Sequence, residues 1–231
     1  MNHITLFCLP FAGGNQYSFG AFKTHLSPHI KAVPLDYPGR GSRMREGLMN
    51  SIEAMTDDLL TNIGQSLNTP YAIFGHSMGA VIGFELAQKI QQKNLPPPLH
   101  LFVSGRGAPH IPAKREDIAS LPSSEFRAKL KELGGSPDEV LNNDALMELF
   151  EPILRNDFQA HFNYSCQHTQ PLNMPITVMY GLDEGLNDLE IQGWQKETLQ
   201  TLSVSGYPGG HFFLFEHWKE IAANINKKLQ N

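Results

Sequence analysis

The chain has 231 residues, 41% hydrophobic and 18% charged, with a formal net charge of -5. This is the balance of an ordinary globular protein with one sizeable core; it excludes a disordered chain, and the lack of any basic run argues against nucleic acid as a partner. Met1-Asn2-His3 runs straight into an apolar stretch too short for a signal peptide or membrane span, and Cys8 and Cys166 are the only cysteines, so a cytoplasmic protein with two free thiols is expected.

Ile4–Leu9 reads as the first strand, followed by the glycine-rich loop Pro10-Phe11-Ala12-Gly13-Gly14. A helix is expected over Tyr17–Leu26, a strand over Lys31–Leu35, and a helix over Ser51–Leu67 with Ser51 as its N-cap. The strand Tyr71–Phe74 runs into Gly75-His76-Ser77-Met78-Gly79 and then a helix over Met78–Gln92. Pro96-Pro97-Pro98 forms a stiff connector to a strand at Leu99–Ser104.

Between Ser104 and Pro175 the rhythm breaks. Helices are expected at Ser123–Leu133, ending at Gly134-Gly135, and from Asn143 to about Phe162, with Pro152 kinking or dividing the second. Strands return at Ile176–Tyr180 and Thr201–Val204, accompanied by helices at Leu189–Lys196 and Phe215–Leu229. Strands alternating with helices imply crossovers and a mostly parallel sheet flanked by helices on both faces. The expected architecture is one α/β domain over 1–231 with a helical insertion at about 105–172, either packed on the core or serving as a lid.

Gly75-His76-Ser77-Met78-Gly79 has the form of a nucleophile elbow, in which a serine sits on a sharp strand-to-helix turn and the flanking glycines avoid collisions. A serine nucleophile needs a base and an acid that orients it, and on such a fold they follow in the order serine, acid, histidine. Of ten histidines, His211 is the candidate base, because Gly209-Gly210-His211 follows the last strand and precedes the final helix. Gly181-Leu182-Asp183-Glu184 offers two adjacent carboxylates after the strand Ile176–Tyr180. Asp183 is preferred as the acid, with Glu184 the alternative and Asp188 a distant third. Oxyanion donors are expected from the backbone N–H of Met78 and of Ala12, with Phe11 competing for the latter role. These residues together are most simply explained as an acyl hydrolase, with no metal or bound cofactor of its own.

Leu9–Gly14, Tyr37-Pro38-Gly39-Arg40-Gly41-Ser42-Arg43, Phe74–Ala80, Ser104-Gly105-Arg106, Leu154-Arg155-Asn156-Asp157-Phe158, Trp194 and Gly209–Phe213 resemble the type II thioesterases that accompany nonribosomal peptide and polyketide synthases, within the α/β-hydrolase superfamily. The resemblance runs nearly end to end. It implies an α/β-hydrolase fold and hydrolysis of acyl groups from the phosphopantetheine arm of acyl or peptidyl carrier protein domains, clearing misprimed synthases. The chain would work as a monomer. The family usually has Gly-x-x-Asp before the acid, whereas glycine-plus-three here is Glu184; counting back from Trp194 favours Asp183, with Leu186 in the place of the family's common valine. Arg40 and Arg43 are read as loop-structuring ion pairs, with phosphate contact as the alternative. A fatty acyl chain-terminating thioesterase, a small-molecule carboxylesterase and a non-catalytic carrier-docking or receptor protein are the competing functions on the same fold.

Overall fold

The computed structural model describes residues 3–111 and 116–230. Met1 and Asn2, and 112–115 within the expected insertion, lie outside the described residues. Six strands form one sheet: β1 Ile4–Leu9, β2 Ile30–Pro34, β3 Tyr71–His76, β4 Leu101–Ser104, β5 Ile176–Gly181 and β6 Ser203–Tyr207. Their order is β2-β1-β3-β4-β5-β6 and every pair is parallel.

Parallel neighbours need crossovers, and these cover both faces. Along the strands, alternate residues feed separate cores. Phe7, Leu9, Ile73, Leu101 and Val103 pack with α1 (Ile52–Ile63) and α2 (Met78–Gln92). Leu6, Cys8, Phe74 and Phe102 pack on the other face, with Phe19, Phe22 and Trp218. Burial on both sides explains why the central strands are apolar without alternation. Ser51 caps α1 as expected, its Oγ accepting from the Ala54 N–H at 3.1 Å.

The chain leaves β1 for β2 on one side, then returns past β1 to β3 on the other. Open parallel sheets form their crevice at such a reversal, outside the C-terminal ends of the strands. Leu9 is in register with Gly75, so the loop after β1 and the turn after β3 emerge side by side.

The expected Tyr17–Leu26 helix is instead two 3-10 turns, Gln16–Phe19 and Phe22–His25, whose spacing of three brings Phe19 and Phe22 onto one core. The edge strand β6 starts later than the expected Thr201, because its alternating half-exposed residues carry a weak apolar signal.

After β4 the insertion contributes helices α3 (Ser123–Leu133), α4 (Asp138–Leu141) and α5 (Asp144–Asn163). They enclose a small core of their own from Ile118, Phe126, Leu130, Leu141, Met147 and Leu154. Pro152 does not divide α5: it lies on the exposed face, as does Glu148, where water can take the carbonyl that loses its partner. The sheet is completed by α6 (Asp188–Gln192) and α7 (Trp218–Lys228). No helix among the described residues is long and apolar enough to cross a membrane.

Two buried histidines adjoin the central strands. His100, stacked on Phe102 at 4.2 Å and paired with Thr177 Oγ1 at 2.7 Å, is pushed by burial down to about 4. Burial holds His76 well below the usual histidine range, and the nearby His211 adds to the effect. The unfolded chain binds these protons near pH 6.5 and the folded chain does not, so stability falls as pH drops below about 6.5. Each ring costs about 1.4 kcal/mol per pH unit in that window. Denaturant unfolding of wild type and His100→Gln at stepped pH should show the variant declining less steeply by about that amount per unit; an unchanged slope would mean that His100 is protonated in the fold.

Candidate active site

Ser77 occupies φ 55°, ψ -115°, between β3 and α2. A serine holds this left-handed backbone only where the surroundings enforce it. They do: the Ser77 N–H donates to the Ser104 carbonyl at 2.8 Å, and the glycines on either side let three backbones meet. A Cβ on Gly75 would lie 2.1 Å from the Gly79 carbonyl oxygen, and one on Gly79 would lie 2.1 Å from that of Leu9. The hydroxyl is thereby raised at the N-terminus of α2, whose dipole favours negative charge.

His211, on the loop after β6, faces Ser77. Its Nε2 lies 2.9 Å from Ser77 Oγ, and its Nδ1 lies 2.9 Å from Glu184 Oε2. A carboxylate only accepts, so Nδ1 carries the proton and Nε2 is free to accept from the serine. The other Glu184 oxygen accepts the Gly181 N–H at 3.0 Å, and the carboxylate side chain is 2% exposed.

The expectation that Asp183 would hold the ring is not met. The Leu182 and Asp183 amides donate to the Tyr207 and Gly209 carbonyls, extending the β5–β6 pairing, and this leaves Asp183 on the outer, solvent-exposed side. There its Oδ2 accepts the Gly209 N–H at 3.2 Å. The chain then turns, with the Glu184 N–H on the Gly181 carbonyl, and glycine-plus-three comes back over the strand end. Asp188 is exposed at the start of α6.

Met78 is the first residue of α2, and no acceptor among the described residues takes its amide or that of Ala12. Ala12 and Phe11 line the same cavity as Ser77 and His211. This cavity measures about 200 Å³, and Leu130, Leu133, Leu154, Phe158 and Phe212 make it largely apolar. A second hollow of about 130 Å³ lies against His211 and Glu184, lined also by Gly105, Leu186 and Glu190. Arg106 borders both. A cleft of about 580 Å³ around Glu85, Lys89 and His168 contains none of these residues.

Other participants were not anticipated. His76 lies behind His211, their ring centroids 5.0 Å apart, with His76 Nδ1 paired to Ser104 Oγ at 3.0 Å. Held neutral, it places no positive charge beside the His211 ring. Phe11, Phe212 and Phe213 surround it. Arg40 and Arg43 both form ion pairs, as read from the sequence: Arg43 with Asp58 and Glu46, Arg40 with Asp157 on α5. Asp157 lay within the Leu154–Phe158 segment, but nothing local signalled its partner.

A serine, histidine and carboxylate in series on this parallel sheet are the apparatus of an acyl hydrolase. The thioesterase domain family model matches residues 4–229. The chain belongs to that family. It is 36% identical to the gramicidin S biosynthesis protein GrsT of Aneurinibacillus migulanus, over 98% of this chain and 89% of that protein. ClbQ, from the colibactin NRPS/PKS pathway, superposes with a TM-score of 0.93 at 31% identity, covering 99% of this chain and 97% of ClbQ. The type II thioesterase BorB from the borrelidin biosynthetic cluster gives 0.90 at 29% identity, covering 98% and 93%.

Within this thioesterase, exchanging carboxylates for amides separates the two acids. Glu184→Gln should lower kcat by up to about 10⁴-fold, since an amide can present its own N–H to Nδ1 and favour the wrong tautomer. Asp183→Asn should stay within about twofold of wild type, as for an exposed side chain. Steady-state kinetics on an acyl thioester decide it; the reverse order would restore Asp183.

Proposed function

We propose that the protein hydrolyses acyl thioesters carried on the phosphopantetheine arm of acyl or peptidyl carrier protein domains, removing aberrant groups from a nonribosomal peptide or polyketide synthase. The continuous hydrogen-bonded series from Ser77 Oγ through His211 to Glu184 carries the reading, because it completes a nucleophile, a base and the group that orients the base. Similarity to synthase-associated relatives supports the choice of leaving group.

Ser77 Oγ attacks the thioester carbonyl as His211 Nε2 takes its proton, and Glu184 stabilises the resulting imidazolium. The amides of Met78 and Ala12 receive the oxyanion. When the tetrahedral intermediate collapses, the C–S bond breaks and the pantetheine sulfur leaves with the proton from His211. Water, deprotonated by the same ring, attacks the acyl-enzyme through a second oxyanion; the free acid departs and Ser77 regains its proton. Every group in this sequence comes from the chain, so we propose no metal or cofactor of its own. The arm arrives with the substrate. The apolar cavity under α3 and α5 would take the acyl group, making the insertion a lid over it. We place the protein in the cytoplasm, where the thiols of Cys8 and Cys166 remain free.

Intact-mass spectrometry of an acyl-loaded carrier protein tests the proposal. Wild type should strip the acyl mass and leave the phosphopantetheine in place, whereas Ser77→Ala should leave the loaded mass unchanged. Rapid turnover of free esters with the carrier thioester untouched would overturn the assignment of substrate.

A further inference from the structure

The segment after β1 that supplies the Ala12 amide is not held by sheet pairing. Side chains from two distant parts of the chain hold it instead. The Tyr37 hydroxyl donates to the Pro10 carbonyl at 3.0 Å, and Asp36 Oδ1 accepts the Gln16 N–H at 2.7 Å. Between these, the Gly13 N–H donates to Asp157 Oδ2 at 2.7 Å.

Asp157 is itself fixed by Arg40, which engages both its oxygens: Nη2 reaches Oδ1 at 2.7 Å, and Nη1 pairs with Oδ2, the oxygen that accepts from Gly13. The side chains are 2% and 0% exposed for Arg40 and Asp157. The guanidinium lies 5.1 Å from the centre of the Tyr37 ring. One turn earlier on α5, Leu154 closes the other side of the loop, since a Cβ on Gly13 would meet Leu154 Cδ2 at 2.3 Å. Gly13 has φ +75°, a conformation that glycine adopts freely and which swings its N–H toward α5.

A buried ion pair is a poor stabilising device, because desolvating two charges consumes most of their attraction. What this one does is join the loop after β1, the loop after β2 and helix α5 at a single carboxylate. We propose that Asp157 is a positioning residue for the oxyanion hole: it holds the Gly13 amide so that the preceding amide, that of Ala12, faces the carbonyl attacked by Ser77, and Arg40 holds Asp157. This rests on the reading of Ser77 as an acyl-transfer nucleophile. Neither residue touches substrate. Both act through the loop, so their loss removes stabilisation of the tetrahedral state and leaves His211 and Glu184 as they are.

Asp157→Asn, Arg40→Lys, Arg40→Met and the paired Arg40→Met/Asp157→Leu test it with two readouts: kcat and KM for a soluble acyl thioester across pH, and the affinity of an alkyl boronic acid, which forms a tetrahedral adduct on Ser77. A misplaced donor costs about 10²-fold. Asp157→Asn should lose kcat by that order with KM and the kinetic pKa unchanged, and its boronate affinity should weaken in proportion. Arg40→Lys should retain more of both than Arg40→Met. Should a single variant fail to fold, the charge-free pair keeps the buried site neutral and still leaves the Gly13 amide unheld, so its kcat and boronate affinity should also fall. Folded variants with wild-type kcat, or with reduced kcat but undiminished boronate affinity, would overturn the proposal. Wild type that binds the boronate yet hydrolyses no thioester would fault the substrate assignment alone, with the boronate comparison still judging Asp157; wild type forming no adduct at Ser77 would overturn both.

Discussion

The backbone of α2 lies against the end of β1 with no side chain between them, and a Cβ on Gly79 would come within 2.1 Å of the Leu9 carbonyl oxygen. The position of Ser77 relative to the loop after β1 follows from that closeness. It sets Ser77 beside the loop after β1, and it is possible only because Gly75 and Gly79 have no Cβ. The reversal of strand order between β1 and β3 brings the two segments together, and the missing side chains let them touch. Fold topology and residue identity thus act at different scales on the same contact.

Around this centre the electrostatics are arranged by burial. Glu184 is shielded yet doubly hydrogen-bonded, so its charge is satisfied locally and directed at His211 Nδ1. His76 is buried beside His211 but held neutral among aromatic rings, which leaves room for one imidazolium there. The protein gives up stability in acid to keep that arrangement.

The insertion between β4 and β5 has its own small core, from Phe126, Leu130, Leu141 and Met147, yet is tied into the main domain at Asp157. A helix that lines the apolar cavity beside Ser77 through Leu154 and Phe158 therefore also anchors the loop after β1. The cavity and the loop after β1 thus meet on one helix face.

Much of the site was legible along the chain because its signals are local. An elbow needs glycines two residues to either side of its serine, a strand before it and a helix after it, and a base needs the loop after the last strand; Ser77 and His211 satisfy these conditions within a few residues of themselves. The sheet was readable for the same reason, since strands buried on both faces must be continuously apolar. For Asp183 and Glu184 the spacing of three from Gly181 pointed to Glu184 and the count back from Trp194 to Asp183, and the two signals conflicted. The outcome depends on β6 lying beside β5, whose backbone takes up residues 182 and 183 and turns Asp183 outward. The partnership of Gly13 with Asp157 spans 144 residues, and Arg40 reads as an ordinary loop cation until the fold buries it. The sequence by itself determined the architecture and singled out Ser77 and His211, because period, glycine spacing and order along the chain suffice for them. Only the tertiary structure decided which carboxylate meets His211 and what holds the loop after β1, because those depend on which backbone hydrogen bonds are already taken when distant segments meet.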